Sequence, residues 1–197
     1  MMNLDYNFFE IDQQYITPVK GKILIAEPFM RDPYFKRSIV LLTEHNEDGS
    51  VGFVLNKPVD IPVHEVFKEF PRIDTEISIG GPVATNTVHY LHTLGDIIPN
   101  SMNVIGDIYW GGDFDFIQGL IKTGKLNQDQ IRFFLGYSGW QPNQLDNELE
   151  EKSWIVTDID ESFILERNYQ NMWKTSLSRL GDKYKLWSGF PEDPAMN

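Results

Sequence analysis

No cysteine occurs in the 197 residues. Disulfides, zinc–thiolate sites, iron–sulfur clusters and cysteine nucleophiles are thereby excluded, and a reducing compartment is compatible with the chain. No apolar run approaches the length that spans a bilayer. The opening MMNLDYNFFEIDQQYITPVKGK lacks the basic-then-apolar order of a secretion signal. Histidine is scarce, with four copies at His45, His64, His89 and His92. Positive charge is also in short supply: 17 Lys and Arg face 29 Asp and Glu, for a formal net charge of −12. Such a chain repels phosphate backbones at long range, and no run of cations builds a local basic patch. Repeats, low-complexity stretches and Pro/Gly/Ser linkers are missing as well. The expectation is a cytoplasmic protein with neither a nucleic-acid nor a membrane partner, forming one domain over residues 1–197.

What the chain does have is apolar and aromatic material, with 41% hydrophobic residues and 13 Phe, 8 Tyr and 5 Trp. That supply builds a core rather than a disordered chain. Lys22–Ala26, Ser38–Thr43 and Val51–Leu55 read as β-branched strands. Ile77–Ile79, Val88–Leu94, Val104–Tyr109, Arg132–Tyr137 and Trp154–Thr157 read as further strands. Pro62–Phe70 changes period, with Val63, Val66, Phe67 and Phe70 on one helical face. Asp113–Thr123 reads as a helix capped by Asp113. Pro142–Glu151, Ser162–Leu165 and Asn168–Leu180 are also helical, the last closed by Gly181. Residues 1–20 suggest a helix and an extended lead-in, and the acidic, proline-containing end suggests a frayed or surface-laid tail. Hairpins early and strand–helix alternation later predict a mixed sheet in an α+β fold.

The densest chemistry lies in Thr43–Pro58, TEHNEDGSVGFVLNKP. As a calcium loop it would use Glu44, Asn46 and Asp48. Its twelfth position is Leu55, where a bidentate glutamate belongs, and its flanks are strands rather than helices. The stretch therefore reads as a hairpin turned by Asp48-Gly49. Glu44 and His45 are adjacent on a strand and face opposite ways, which separates them as an acid/base pair. Gly136-Tyr137-Ser138-Gly139-Trp140 approaches a nucleophile elbow but has Trp140 in place of the last glycine and no histidine after the serine. It reads as a strand end and turn, with Ser138 capping. His89 and His92 are three apart on a strand, and His64-Glu65 lacks a second histidine at position 68, so no metal is expected. Gly80-Gly81 and Gly111-Gly112-Asp113 could offer backbone N–H groups to an anion, but neither carries a dinucleotide or P-loop fingerprint, so both read as turns.

Several blocks in order resemble the YqgE/AlgH family (UPF0301, DUF179). They are Gly21–Ser38 (GKILIAEPFMRDPYFKRS), Glu44-His45-Asn46, Gly49, Gly52, Asn56-Lys57-Pro58, Gly80-Gly81-Pro82-Val83, Gly111-Gly112-Asp113 and Gly136–Trp140. Gln144-Leu145, Glu148 and Trp154 complete the pattern, which covers about residues 18–181. Residues 1–17 form a lead-in and 182–197 a tail. Asn143 departs from the glycine common before Gln-Leu, and Asn also tolerates left-handed geometry. The resemblance implies a bacterial cytoplasmic protein with an α+β fold, whose mixed, largely antiparallel, bifurcated sheet curls into a pseudo-barrel flanked by helices. It supplies no reaction and no cofactor; some members carry a transcriptional-regulator label.

Three functional readings remain. The favoured one is a regulatory module that binds a small ligand or a protein through the matching loop residues Glu44, His45, Asn46, Asn56, Lys57, Gly80, Gly81, Gly111, Gly112, Asp113 and Ser138. The second is a hydrolase with His45 as acid/base beside Glu44 or Asp113. The third is a direct DNA-binding regulator, which the acidic charge and the lack of a helix-turn-helix disfavour.

Overall fold

A computed structural model of the chain describes residues 11, 16–67, 69–167 and 169–191. The helix expected in the first twenty residues lies mostly outside the described residues, as do the last six positions of the tail. Strands β1 (Ile23–Ala26) and β2 (Ile39–Asn46) are buried on both faces, which explains why they read as unbroken apolar runs rather than alternating ones. β3 (Gly49–Val54), β4 (Pro58–Pro62) and a single helical turn α1 (Val63–Val66) follow. Next come β5 (Glu76–Ile79), β6 (Val83–His92), β7 (Met102–Ile105), β8 (Ile108–Trp110), α2 (Phe114–Lys122) and β9 (Ile131–Trp140). The chain continues through α3 (Gln144–Glu150), β10 (Trp154–Thr157), two 3₁₀ turns, α4 (Met172–Arg179) and α5 (Asp182–Trp187).

The strands run in the order β10-β1-β2-β3-β9-β6-β8-β7, with β5 joining β9 and β4 joining β5. Among the described residues, only β5 and β9 pair in parallel. The path is open, because β10 and β7 end it without meeting. The fold is therefore α+β, with a large, mostly antiparallel sheet that forks and does not close into a barrel.

The fork is built into β9. Its first half pairs with β5 and β6, through Ile77↔Phe133 and Leu91↔Arg132. Its second half pairs with β3, through Gly52↔Ser138 and Ser50↔Trp140. Gly136 sits between the halves with φ +64°, and a Cβ there would lie 2.6 Å from the Val83 carbonyl oxygen. An L side chain is disfavoured at that angle, so glycine allows the strand to bend and serve two partners.

Three apolar clusters fill the layers. Ile23, Ile25, Phe53, Phe134 and Ile155 pack under Trp173 and Leu177 of α4 and Tyr184 and Trp187 of α5. On the other face, Leu24, Val40, Val54 and Trp154 pack under Leu145 and Leu149 of α3. Ile77, Tyr90 and Phe133 pack under Ile117 and Ile121 of α2.

Several elements differ from the sequence expectation. Val104–Tyr109 is a hairpin of two strands, turned at Gly106, whose carbonyl accepts a 2.7 Å bond from Asn103 Nδ2. The helix expected over Pro62–Phe70 is one turn long: Phe67 is already extended, and Phe70 turns in to meet the Phe133 ring at 5.3 Å. Tertiary burial of that ring overrides the helical period. Gly181 closes α4 but also begins α5, whose Tyr184 and Trp187 are buried. β9 continues through Gly139 and Trp140, where a turn was expected.

Candidate functional site

The polar residues singled out from the sequence fall into three places. At the β2–β3 hairpin, Asn46 pairs with Gly49 and its Oδ1 accepts from the Asp48 N–H at 2.8 Å. This side-chain-closed turn is braced against β9, since a Cβ on Gly49 would lie 2.2 Å from the Trp140 carbonyl oxygen. His45 Nδ1 lies 2.8 Å from Ser50 Oγ across the hairpin. A register shift between Leu42 and Glu44 marks a bulge beside Glu44, which is half-buried. Asp48 and Glu47 are exposed.

The second place joins the end of β3 to the end of β5. Asn56 Oδ1 accepts from the Ile39 N–H at 2.9 Å and its Nδ2 donates to the Arg37 carbonyl at 2.8 Å. Lys57 Nζ donates to the Lys36 carbonyl at 2.9 Å. The Gly80 carbonyl accepts from both the Val54 N–H and the buried Ser138 Oγ, each at 2.9 Å. Ser138 thus cross-links β9 to the β5 end from within a strand and does not cap a turn. A Cβ on Gly81 would lie 2.4 Å from the Tyr137 carbonyl group, so this glycine pair is required by close backbone packing.

The third place surrounds Gly111-Gly112-Asp113. Asp113 caps α2 by accepting from the Phe116 N–H at 2.9 Å. Gly112 accepts a 2.6 Å bond from the Tyr90 hydroxyl, whose pKa burial first and Asp113 second push up to about 12. Gly111 accepts from His92 Nε2 at 2.9 Å, while His92 Nδ1 accepts from the Leu94 N–H at 3.1 Å. These two bonds fix a neutral Nε2–H imidazole. Burial lowers its pKa, partly opposed by the Gly111 carbonyl. The structure brings Asn56, Lys57, Gly80, Gly81 and Ser138 together but keeps Asp113 away from His45. Asp113 follows β8, which neighbours the β6 residues opposite Arg132, whereas Ser50, the partner of His45, lies opposite Trp140. Eight residues of strand separate those two levels, on the order of 25 Å.

Sequence reading passed over Arg132, which sat inside an apolar strand. It is 3% exposed, and among the described residues no carboxylate is bonded to its guanidinium. Nη1 donates to the Ile164 carbonyl at 2.9 Å, and Nη2 donates to the Leu55 carbonyl and to Ser78 Oγ. Its guanidinium carbon lies 4.5 Å from the Tyr169 ring centroid and 5.1 Å from that of Phe134. Burial lowers its pKa to about 10; Tyr169 and Glu76 resist the shift and Arg167 reinforces it. The legible signal was a charge at a strand position that alternation assigns inward.

The larger cavity lies elsewhere. A cleft of about 510 Å³ opens along β10, between Asp146, Leu149 and Glu150 of α3 on one side and Leu180 and Tyr184 on the other. Ile11, which is buried, and residues 16–18 also line it. A second hollow of about 320 Å³ shares Ile11 and is lined by Glu27, Lys152 and Trp187. Burial raises the Glu27 pKa, while the Phe29 N–H bonded to its carboxylate lowers it. Among the described residues, no group of three or more His, Asp or Glu is placed to hold a metal ion, and no helix is long and apolar enough to cross a membrane.

An open, forked α+β sheet with helices on both faces, glycine-packed turns and a cleft along its terminal strand defines the class. The chain belongs to the AlgH-like family (DUF179), whose model matches residues 23–185. It is 45% identical over 197 residues to a UPF0301 protein of Bacteroides thetaiotaomicron, with both chains covered in full. A UPF0301 protein of Chlorobaculum tepidum is 44% identical over 177 residues, 90% of this chain and 95% of that one. The solution structure of the AlgH protein from Pseudomonas aeruginosa matches with a TM-score of 0.72 at 28% identity, over 92% of this chain and 98% of that one. A crystal structure of a Corynebacterium diphtheriae protein gives 0.75 at 25% identity, over 96% and 100%. The family is one of uncharacterised function, and no biochemical activity comes with the match.

Proposed function

We propose that the protein is a cytoplasmic binding module whose working surface is the cleft along β10. The carrying observation is the cleft itself, about 510 Å³ of space with an apolar floor and two carboxylates, the form expected of a ligand site. The polar loop residues support the same reading from the other side. Asn46, Asn56, Lys57, Asp113 and Ser138 all spend side-chain bonds on the protein's own backbone. A regulatory role is part of the proposal and would act through a bound partner, since the net charge of −12 opposes direct contact with DNA. We also read the family-like region and its flanks as one domain, because β9 serves both arms of the fork.

The test is a chemical-shift titration of the isotope-labelled protein with Nile red, a neutral apolar probe. Shifts gathered at Leu149, Val156 and Leu180, and lost in a Leu149→Trp variant that fills the cleft, are the expected result. Shifts gathered at Asn56, Gly80 and Ser138, or no shifts at all, would overturn the assignment.

A further inference from the structure

We propose that the cleft takes an extended, basic segment of another protein, added as a new strand along the outer edge of β10. This rests on the binding role of the cleft and names its occupant.

The hydrogen-bond phase of β10 is fixed by one contact. The Glu27 N–H donates to the Ser153 carbonyl at 3.0 Å, and the register pairs Ala26 with Trp154, Ile25 with Ile155 and Ile23 with Thr157. Bonded pairs alternate in an antiparallel ladder, so Ile155 and Thr157 bond to β1. The N–H and C=O groups of Trp154 and Val156 therefore point away from β1, toward the open edge. Among the described residues, no strand pairs there and no backbone hydrogen bond ends on those groups. Two residues spaced by two, each with a free donor and acceptor, form a template for one more strand.

The two walls specify what that strand carries. Ile155 packs in the cluster under α4 and α5, whereas Trp154 and Val156 pack in the cluster under α3. An added strand would follow the same alternation. Residues facing Leu180 and Tyr184 are best aliphatic. Residues facing α3 pass Leu149 and reach Asp146 and Glu150, one turn apart, and no cation lines the cleft among the described residues. Basic side chains suit that face, with long apolar stems along Leu149 and charged ends at the carboxylates. The expected ligand thus alternates Lys or Arg with Val, Ile or Leu.

Charge decides between this occupant and two others. A second copy brings another net −12 and sets Asp146 and Glu150 against their own kind. The chain's own lead-in already supplies Ile11 and residues 16–18 to the lining, but neither end of the chain brings cations to the α3 face: the charged side chains in residues 1–15 are Asp5, Glu10 and Asp12, and those in 191–197 are Glu192 and Asp193.

The test uses the full-length protein and a fluorescently labelled peptide, Lys-Val-Lys-Val-Lys-Val, read by anisotropy. Binding should weaken at least tenfold with Val156→Pro. That change removes an outward N–H and leaves β1 pairing untouched, a placement proline tolerates on an edge strand. The double variant Asp146→Lys with Glu150→Lys should weaken it at least tenfold and favour a Glu-Val peptide instead. On the unaltered protein, backbone N-methylation of the edge-facing peptide residues should abolish binding, which keeps the test independent of how any variant folds. Equal binding of the methylated peptide, or no binding of either peptide, overturns strand addition, and so does a sedimentation profile in which the protein pairs with itself through β10. The Nile red titration then shows separately whether the cleft still serves as a binding site.

Discussion

Glu148 and Trp154 are joined by a 2.7 Å hydrogen bond from the indole Nε1 to the carboxylate Oε2, and the same oxygen accepts from Trp140 Nε1 at 2.9 Å. One side chain of α3 thereby ties together the ends of β9 and β10, and it sets the α3 wall of the cleft. Gln144 Nε2 donates to the other carboxylate oxygen at 2.9 Å. Glu148→Ala should cost about 2 kcal/mol, because hydrogen bonds to a charged acceptor exceed neutral ones and two donors on buried tryptophans lose their partner. Urea unfolding measures the loss. Tryptophan emission should shift to the red as the indoles gain water, and an unchanged spectrum would show that they do not depend on this carboxylate.

Asn56 acts as a clip on the start of β2, with its amide satisfying both the Ile39 N–H and the Arg37 carbonyl. Asn56→Ala should destabilise by about 2 kcal/mol. Asn56→Asp keeps the acceptor and sets a carboxylate against the Arg37 carbonyl, so it should be no milder. Equal urea midpoints for wild type and both variants would remove Asn56 from the structural account.

Arg132 is held by geometry that a lysine cannot copy. Its guanidinium spans the carbonyls of Ile164 and Leu55 while lying between two rings. Arg132→Lys should cost roughly 3 kcal/mol, since one ammonium cannot meet both carbonyls from a buried position. Calorimetric unfolding is the check, and a loss below 1 kcal/mol would contradict the fork geometry.

His92 gives the protein an acid-sensitive core. Burial lowers its pKa below the ordinary 6.5, so the folded form holds the ring neutral while the unfolded chain binds a proton. Stability from this group is complete above about pH 6.5 and declines as pH falls toward the lowered value, with a slope of at most about 1.4 kcal/mol per pH unit. His89, also lowered by burial, acts in the same direction. Glu27 acts in the opposite direction, because burial raises its pKa and the folded form therefore binds its proton more readily than the unfolded chain does. Comparing His92→Gln with wild type between pH 7 and 5 isolates the histidine, and the variant should show the shallower slope.

Strands were the most legible part of the sequence, because β-branched runs such as Lys22–Ala26 and Ser38–Thr43 carry their own signal. The hairpin at Asp48-Gly49 was legible for a local reason too, namely a glycine beside a residue that closes turns. Pro62–Phe70 was misread because its helical period answers to the Phe133 ring across the core and not to a helix. The two strands within Val104–Tyr109 were merged because Gly106 stood as the sole break. The glycine pairs and Ser138 drew attention as polar loop chemistry, but their backbone neighbours come from distant segments, and that packing is invisible in one dimension. The cleft was missed for the same reason. Its walls come from residues as far apart as Ile11 and Tyr184, and its open edge depends on which strand ends the sheet.

The outer side of β10, unpaired among the described residues, also bears on how the protein must be handled. Exposed strand borders invite copies of the same chain to stack, and here the deterrent is electrostatic repulsion from neighbouring carboxylates. Acidification or concentrated salt would weaken that repulsion, so preparations are best kept near neutrality at modest ionic strength, where stacking along this border is opposed.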